Sequence, residues 1–123
     1  SDQVLWKQIR SILSEDPLRP PVLTDLSKPV NNSPAVLAAV LKRCVQLGYV
    51  VQPTPNRYYL QAGLDRLVAI IHDLAEKKGG FTVRDFRDNS GLGRNLCIEL
   101  LEYFDGQGLT IRDGDKRRVA RST

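Results

Sequence analysis

Cations fall in three short runs of the C-terminal half of this chain: Arg84 and Arg87, then Arg94 beside Asn95, then Arg112 with Lys116, Arg117 and Arg118. Guanidinium and ammonium groups clustered in this way neutralise phosphates, the chemistry of a nucleic-acid contact. Gly91 and Gly93 stand just before Arg94 and remove side chains where another backbone or a base would come close. A helix starting there would add its free N–H groups and its dipole to the attraction for phosphate. A plainer reading competes at each place. Edge strands carry Lys and Arg as protection against pairing with other chains. Arg84-Asp85 and Arg87-Asp88 are partly self-neutralising, and glycines often serve only a turn.

Catalytic chemistry has no comparable candidates. His72 is the single histidine, on an amphipathic helical stretch. There is no glycine-rich phosphate loop, nucleophile elbow or metal-ligand cluster, so neither an enzyme nor a cofactor is expected in this chain. Cys44 and Cys97 sit in helical apolar patterns without CxxC spacing. Free, reduced core cysteines follow, which suits a cytoplasmic protein.

The elements that carry these residues must come from 123 residues with a formal charge of +4 and 41% hydrophobic content. That length suits one domain or two very small ones. No apolar run reaches membrane-spanning length, so no membrane partner is expected, and the N-terminus resembles no targeting peptide. The chain contains no Met and opens SDQVLW, which points to a fragment or a processed chain.

An internal repeat organises the sequence. LKRCVQLGYVVQPTPNRYYL, from Leu41, aligns with LEYFDGQGLTIRDGDKRRVA, from Leu101. Gly48 falls on Gly108, and the turn residues Pro53 to Asn56 fall on Asp113 to Lys116. Each copy predicts a first helix (Gln3 to Glu15; Leu64 to Lys78), a short second helix (Leu23 to Lys28; Val83 to Asn89) and a third. The third helices begin at Ser33-Pro34, where serine caps and proline fits the first turn, and at about Gly93. Gly48 and Gly108 follow them, where glycine takes the left-handed C-terminal position. A hairpin closes each copy. In the second, Asp113-Gly114 supplies the turn, with loops of two to four residues all compatible, and the alternation of Leu109 and Ile111 predicts a buried face.

The expected fold is therefore mainly α with small β-hairpins (α+β): two tandem winged-helix domains at 1–62 and 63–123. Gln61-Ala62-Gly63 is too short for a flexible tether, so the two are expected to be docked or semi-rigid.

The third helix usually reads the major groove in DNA-binding winged helices. In the second copy its buried stripe is Leu96, Cys97, Leu100, Leu101 and Phe104, which leaves Ile98, Glu99, Glu102 and Asp105 outside. Those carboxylates disfavour a groove reader. The cations lie instead on the short helix, at the start of the third helix and on the wing. In the first copy the wing QPTPNRYYL is nearly uncharged; Tyr58 and Tyr59 are stacking candidates, but alternation turns at least one inward. That copy reads as a spacer or protein-docking module.

FTVRDFRDNSGLGRNLCIELLEYFDGQGLTIRDGDKR resembles the last winged helix of the bacterial selenocysteine-specific elongation factor family, SelB. The FTV-x-x-FRD run, the Gly-x-x-Arg at the third helix, LLEYFD and the glycine before a basic wing carry the likeness, and the preceding sixty residues fit the penultimate winged helix. The resemblance implies recognition of an mRNA stem-loop, the selenocysteine insertion element. It also implies upstream GTPase and tRNA-binding parts of the same protein, and the ribosome, as partners. On this reading the second domain clamps an RNA hairpin between the wing and the start of the third helix, through Arg84, Arg87, Gly91, Gly93, Arg94, Asn95, Arg112, Lys116, Arg117 and Arg118. A protein-interaction scaffold of tandem winged helices and a DNA-binding regulator are the alternatives.

Overall fold

A computed structural model describes residues 2–121, which group into two compact units, Ser1–Leu64 and Asp65–Thr123. The first unit opens with helix α1 (Asp2–Glu15), which buries Ile9 and Leu13 at helical spacing. Helix α2 (Leu23–Ser27) and helix α3 (Pro34–Gln46) follow. The Ser33 hydroxyl accepts the Val36 N–H at 3.2 Å, and Pro34 occupies the first turn of α3, where it forfeits no hydrogen bond. Ile9, Leu13, Leu26, Leu37 and Leu41 are almost wholly buried together. Each such side chain contributes about 1.5–3 kcal/mol of burial.

Strands β1 (Val51–Thr54) and β2 (Arg57–Tyr59) form the hairpin of this unit, with an irregular register between Val51 and Thr54. On β2, Tyr58 and Tyr59 are both buried. The Tyr59 hydroxyl donates to the Leu18 carbonyl at 2.9 Å, and the Arg57 guanidinium donates to the Pro20 carbonyl. The hairpin thus fastens the proline-rich segment between α1 and α2. Neither tyrosine is free to stack on a base.

Helix α4 spans Gln61–Lys78, so Gln61, Ala62 and Gly63 form its first turn instead of a connecting loop. Gly63 is required there: a Cβ would sit 2.4 Å from the Pro17 carbonyl oxygen. In the second unit, strand β3 (Phe81–Thr82) leads directly into helix α5 (Val83–Ser90), and helix α6 (Arg94–Gly106) precedes strands β4 (Thr110–Asp113) and β5 (Lys116–Val119). The sheet order is β3-β5-β4, all antiparallel. The short β3 was absent from the sequence reading, which expected two strands. Phe81, Phe86, Cys97, Leu100 and Leu101 are fully buried beneath this sheet and its helices.

Helices α3 and α6 end alike. Gly48 donates its N–H to Val45 and Tyr49 to Cys44; Gly108 donates to Asp105 and Leu109 to Phe104. Both glycines have positive φ, 79° and 80°, the paired-bond helix ending that only glycine adopts without strain. No helix among the described residues is long and apolar enough to cross a membrane.

Candidate nucleic-acid interface

The entry to α5 fixes where the arginines point. Thr82 Oγ1 accepts the Asp85 N–H at 3.1 Å, and Asp85 Oδ2 accepts the Thr82 N–H at 2.9 Å, a reciprocal cap. Lys78 Nζ donates to Asp85 Oδ1 at 2.8 Å. The Lys78 hydrogen bond and then the Thr82 backbone bond hold the Asp85 carboxyl below its ordinary pKa. Asp85 is therefore committed to the cap and to Lys78, and among the described residues no ion pair joins it to Arg84. Arg87 makes a long, exposed ion pair with Asp88 at 3.9 Å, which screens it little.

Phe86 anchors α5 in the core, which leaves the outer turn to Arg84 and Arg87. The helix closes at Gly91, whose φ of 75° suits glycine, and Gly93 precedes α6 with φ −68° and no side-chain cap. Arg94 is then the first residue of α6 and Asn95 the second, both exposed. Val83, Arg84, Arg87 and Arg94 line one open cleft of about 180 Å³. Three guanidinium groups around a small concavity at an uncapped helix start give a surface whose charge and free N–H groups attract anions. At Gly93 the backbone does not demand glycine, and a Cβ there would meet nothing within 4 Å. The missing side chain leaves open space beside the cleft.

The wing divides its cations. Asp113 pairs with Lys116, so the loop is the two residues Gly114-Asp115, with Gly114 at φ 65°. Lys116 and Arg118 are exposed; Arg112 is also exposed and donates from Nε to the Gly114 carbonyl at 2.9 Å. Arg117 departs from the expectation. It is 4% exposed, and its Nε and Nη2 grip the Asp105 carboxylate at 2.9–3.1 Å. Thr110, also buried, donates its hydroxyl to Asp105. Burial pushes the Asp105 carboxyl up, but hydrogen bonds from Arg117 and Thr110 outweigh it, and the pKa ends below the ordinary value. Arg117 is thus withdrawn from any phosphate contact, and Asp105 no longer counts among the repelling carboxylates of α6.

The same trio inverts the expected alternation on β4. Thr110 turns inward and Ile111 is 39% exposed, opposite Arg118 on the outer face. Glu99 and Glu102 remain exposed on α6, as expected. Thr82 pairs with Lys116 across β3 and β5 and also caps α5, whose next residues wall the cleft. Sheet pairing therefore ties the wing to the α5 start. Sequence reading passed over Val83 as the apolar wall of the cleft; its place directly before Arg84 at the helix start was the available signal.

A family model described as the winged helix of elongation factor SelB matches residues 73–119. The selenocysteine-specific elongation factor of Escherichia coli strain K12 is 30% identical over 113 residues, covering 92% of this chain and 18% of that protein. That of Haemophilus influenzae is 29% identical over 91 residues, covering 74% of this chain and 15% of that protein. The chain thus spans less than a fifth of the length of these relatives. Among solved structures, the mRNA-binding domain of E. coli elongation factor SelB in complex with SECIS RNA superposes with a TM-score of 0.88 at 28% identity, covering 98% of this chain and 97% of that one. A bacterial selenocysteine-specific elongation factor, EF-Sec, gives a TM-score of 0.71 at 22% identity over 98% of this chain and 20% of its own, a likeness of fold.

Proposed function

This chain carries a winged helix of the elongation factor SelB family at residues 73–119, and from that premise we propose that its second unit binds an mRNA stem-loop of the selenocysteine-insertion type. The observation that carries the reading is the cleft of Arg84, Arg87 and Arg94 at the uncapped start of α6, beside a helix whose exposed face holds Glu99 and Glu102. Such a surface suits a folded RNA. The deep, narrow major groove of A-form RNA excludes a reading helix, so recognition falls to backbone geometry and to bases splayed from loops or bulges. The solved SelB domain of matching fold is in complex with SECIS RNA, which supports the choice of ligand.

On this proposal Arg84, Arg87, Arg94 and Asn95 receive the loop or bulge, and Gly91 and Gly93 leave room for an unstacked base. Arg112, Lys116 and Arg118 on the wing meet the flanking phosphates. Arg117 holds the wing to α6. The whole protein would add GTPase and tRNA-binding parts and work on the ribosome, with the first unit as spacer or docking module. A DNA-binding role is disfavoured by Glu99 and Glu102 on the helix that would enter the groove.

The test is a salt titration of the chain with an RNA stem-loop carrying the insertion element and with a DNA duplex of equal length. Tight, steeply salt-dependent binding of the stem-loop with weak duplex binding is the expected result. Equal binding of both, or none, overturns the reading.

A further inference from the structure

The first unit carries a surface of its own that the RNA-gripping reading of the second unit does not use. Trp6 of α1 and Tyr49 stack with ring centroids 5.3 Å apart and planes 25° from parallel. Tyr49 is 48% exposed. Its position is set by the helix ending at Gly48, since its N–H is the one bonded to Cys44. The repeat places Leu109 at the matching point of the second unit, where it is half-buried. An apolar side chain alone completes that helix ending. An exposed tyrosine in its place, stacked on the chain's single tryptophan, exceeds what packing requires.

The ring pair borders two open hollows of about 480 and 540 Å³, both of which also touch Arg10. Lys7 and Arg43 flank the one of about 480 Å³. Arg43 is held by Asp2 at 2.8 Å, which also removes the nearby carboxylate from play. Among the described residues Lys7 and Arg10 show no ion pair. The unit as a whole has seven Lys and Arg against four Asp and Glu.

Aromatic faces beside unpaired cations are the recognition chemistry of an unpaired nucleotide: the base stacks and the phosphates meet the charges. We propose that the Trp6–Tyr49 platform, with Lys7 and Arg10, binds an unpaired segment of RNA at a site separate from the stem-loop grip. The platform itself reads base and phosphate; the choice of RNA over DNA rests on the reading of the second unit. An acidic peptide would satisfy Lys7 and Arg10 but leaves the ring faces without a flat partner.

Trp6 reports on the site directly, because no other tryptophan contributes to the signal. The intact chain is titrated with an unstructured RNA decamer and with its DNA counterpart while indole fluorescence is followed. RNA is expected to quench the signal, with salt weakening the binding by a slope of about 0.7 per phosphate met. Tyr49→Leu keeps the helix ending and removes the stacking face, and is expected to weaken RNA binding at least roughly tenfold. Arg10→Gln, on an exposed helix face, is expected to reduce the salt slope by about 0.7. The double variant Arg84→Gln/Arg94→Gln, in the second unit, should leave the quenching unchanged, which separates this site from the stem-loop grip. Absence of quenching, quenching by DNA alone, undiminished binding in both first-unit variants, or loss of quenching in the second-unit variant each overturns the proposal.

Discussion

The Arg117 guanidinium holds the Asp105 carboxylate through Nε at 3.1 Å and Nη2 at 2.9 Å, from a strand whose neighbours Lys116 and Arg118 are open to solvent. Three consecutive cations of one wing thus perform two kinds of work. The pair joins β5 to the C-terminal part of α6, and Thr110 completes it from β4. Removing one member leaves a charge without its partner in a largely buried place, which costs about 3–5 kcal/mol in comparable pairs. Arg117→Ala is therefore expected to lower the stability of the second unit by about 3 kcal/mol, with a drop in Tm seen by calorimetry.

The same pair sets a response to acid. The folded pKa of Asp105 lies below its ordinary value, so its stabilisation is complete above the unfolded pKa of about 4 and is lost as pH falls through the folded one. Asp85 behaves likewise through Lys78 and the α5 cap. Chemical denaturation between neutral pH and pH of about 2.5 should show stability falling in the acid range. Asp105→Asn should start lower at neutral pH and lose less on acidification, with the Asp85 share retained. An unchanged acid slope in Asp105→Asn would remove Asp105 from the account.

Lys116 and Arg118 should act on RNA in a way that Arg117 does not. Phosphate contacts position without specifying, so either alanine variant is expected to weaken cognate and base-substituted stem-loops alike. The magnitude of the salt slope should fall by roughly one, with Tm within a degree or two of the parent. Arg94→Ala and Asn95→Ala should instead discriminate. Their loss for the cognate stem-loop should exceed that for one with its bulged or loop base changed by about 1–3 kcal/mol. Equal losses on both RNAs would reduce the cleft to a phosphate grip.

The two glycines of the α5–α6 turn separate fold from binding. Gly91→Ala forces a side chain into φ 75° and is expected to destabilise the unit by about 1–2 kcal/mol. Gly93→Ala meets no atom and no unfavourable φ, and should change stability by no more than about 1 kcal/mol. A loss of RNA affinity in Gly93→Ala without a loss of stability would place the ligand against that backbone. Full affinity in the variant would show that no ligand atom approaches there.

Gly63→Ala tests the packing of the first unit. Its Cβ would lie 2.4 Å from a carbonyl oxygen of the Pro17 peptide, and a backbone atom has little room to yield. A cost of about 1–3 kcal/mol, the range of core overpacking, is expected in a thermal melt followed by the tyrosine and tryptophan signals.

The helices were legible in the sequence because their causes are local. Apolar spacing over Leu96 to Phe104, serine before proline at Ser33-Pro34, and glycine at Gly48 and Gly108 each act within a few residues, and the structure places α3, α6 and their left-handed ends accordingly. The cationic surface was legible as a set of residue types: Arg84, Arg87 and Arg94 do line one cleft. Which wing cation faces outward was not. Facing on a short strand depends on pairing with β3 and on a carboxylate from another element, neither of which is visible in a stretch such as Arg112 to Arg118. That is why apolar Ile111 is outside while Thr110 and Arg117 are inside. Distant partners likewise chose among the aromatics: Tyr58 and Tyr59 are buried, the Tyr59 hydroxyl bonded to the Leu18 carbonyl, while Tyr49 stays near the surface, stacked on Trp6. Sequence by itself determined the run of helices and their charge, though not the short β3, through interactions that close within one or two turns. Only the tertiary structure decided which charges and rings remain available to a ligand, because burial is settled by partners distant in the chain.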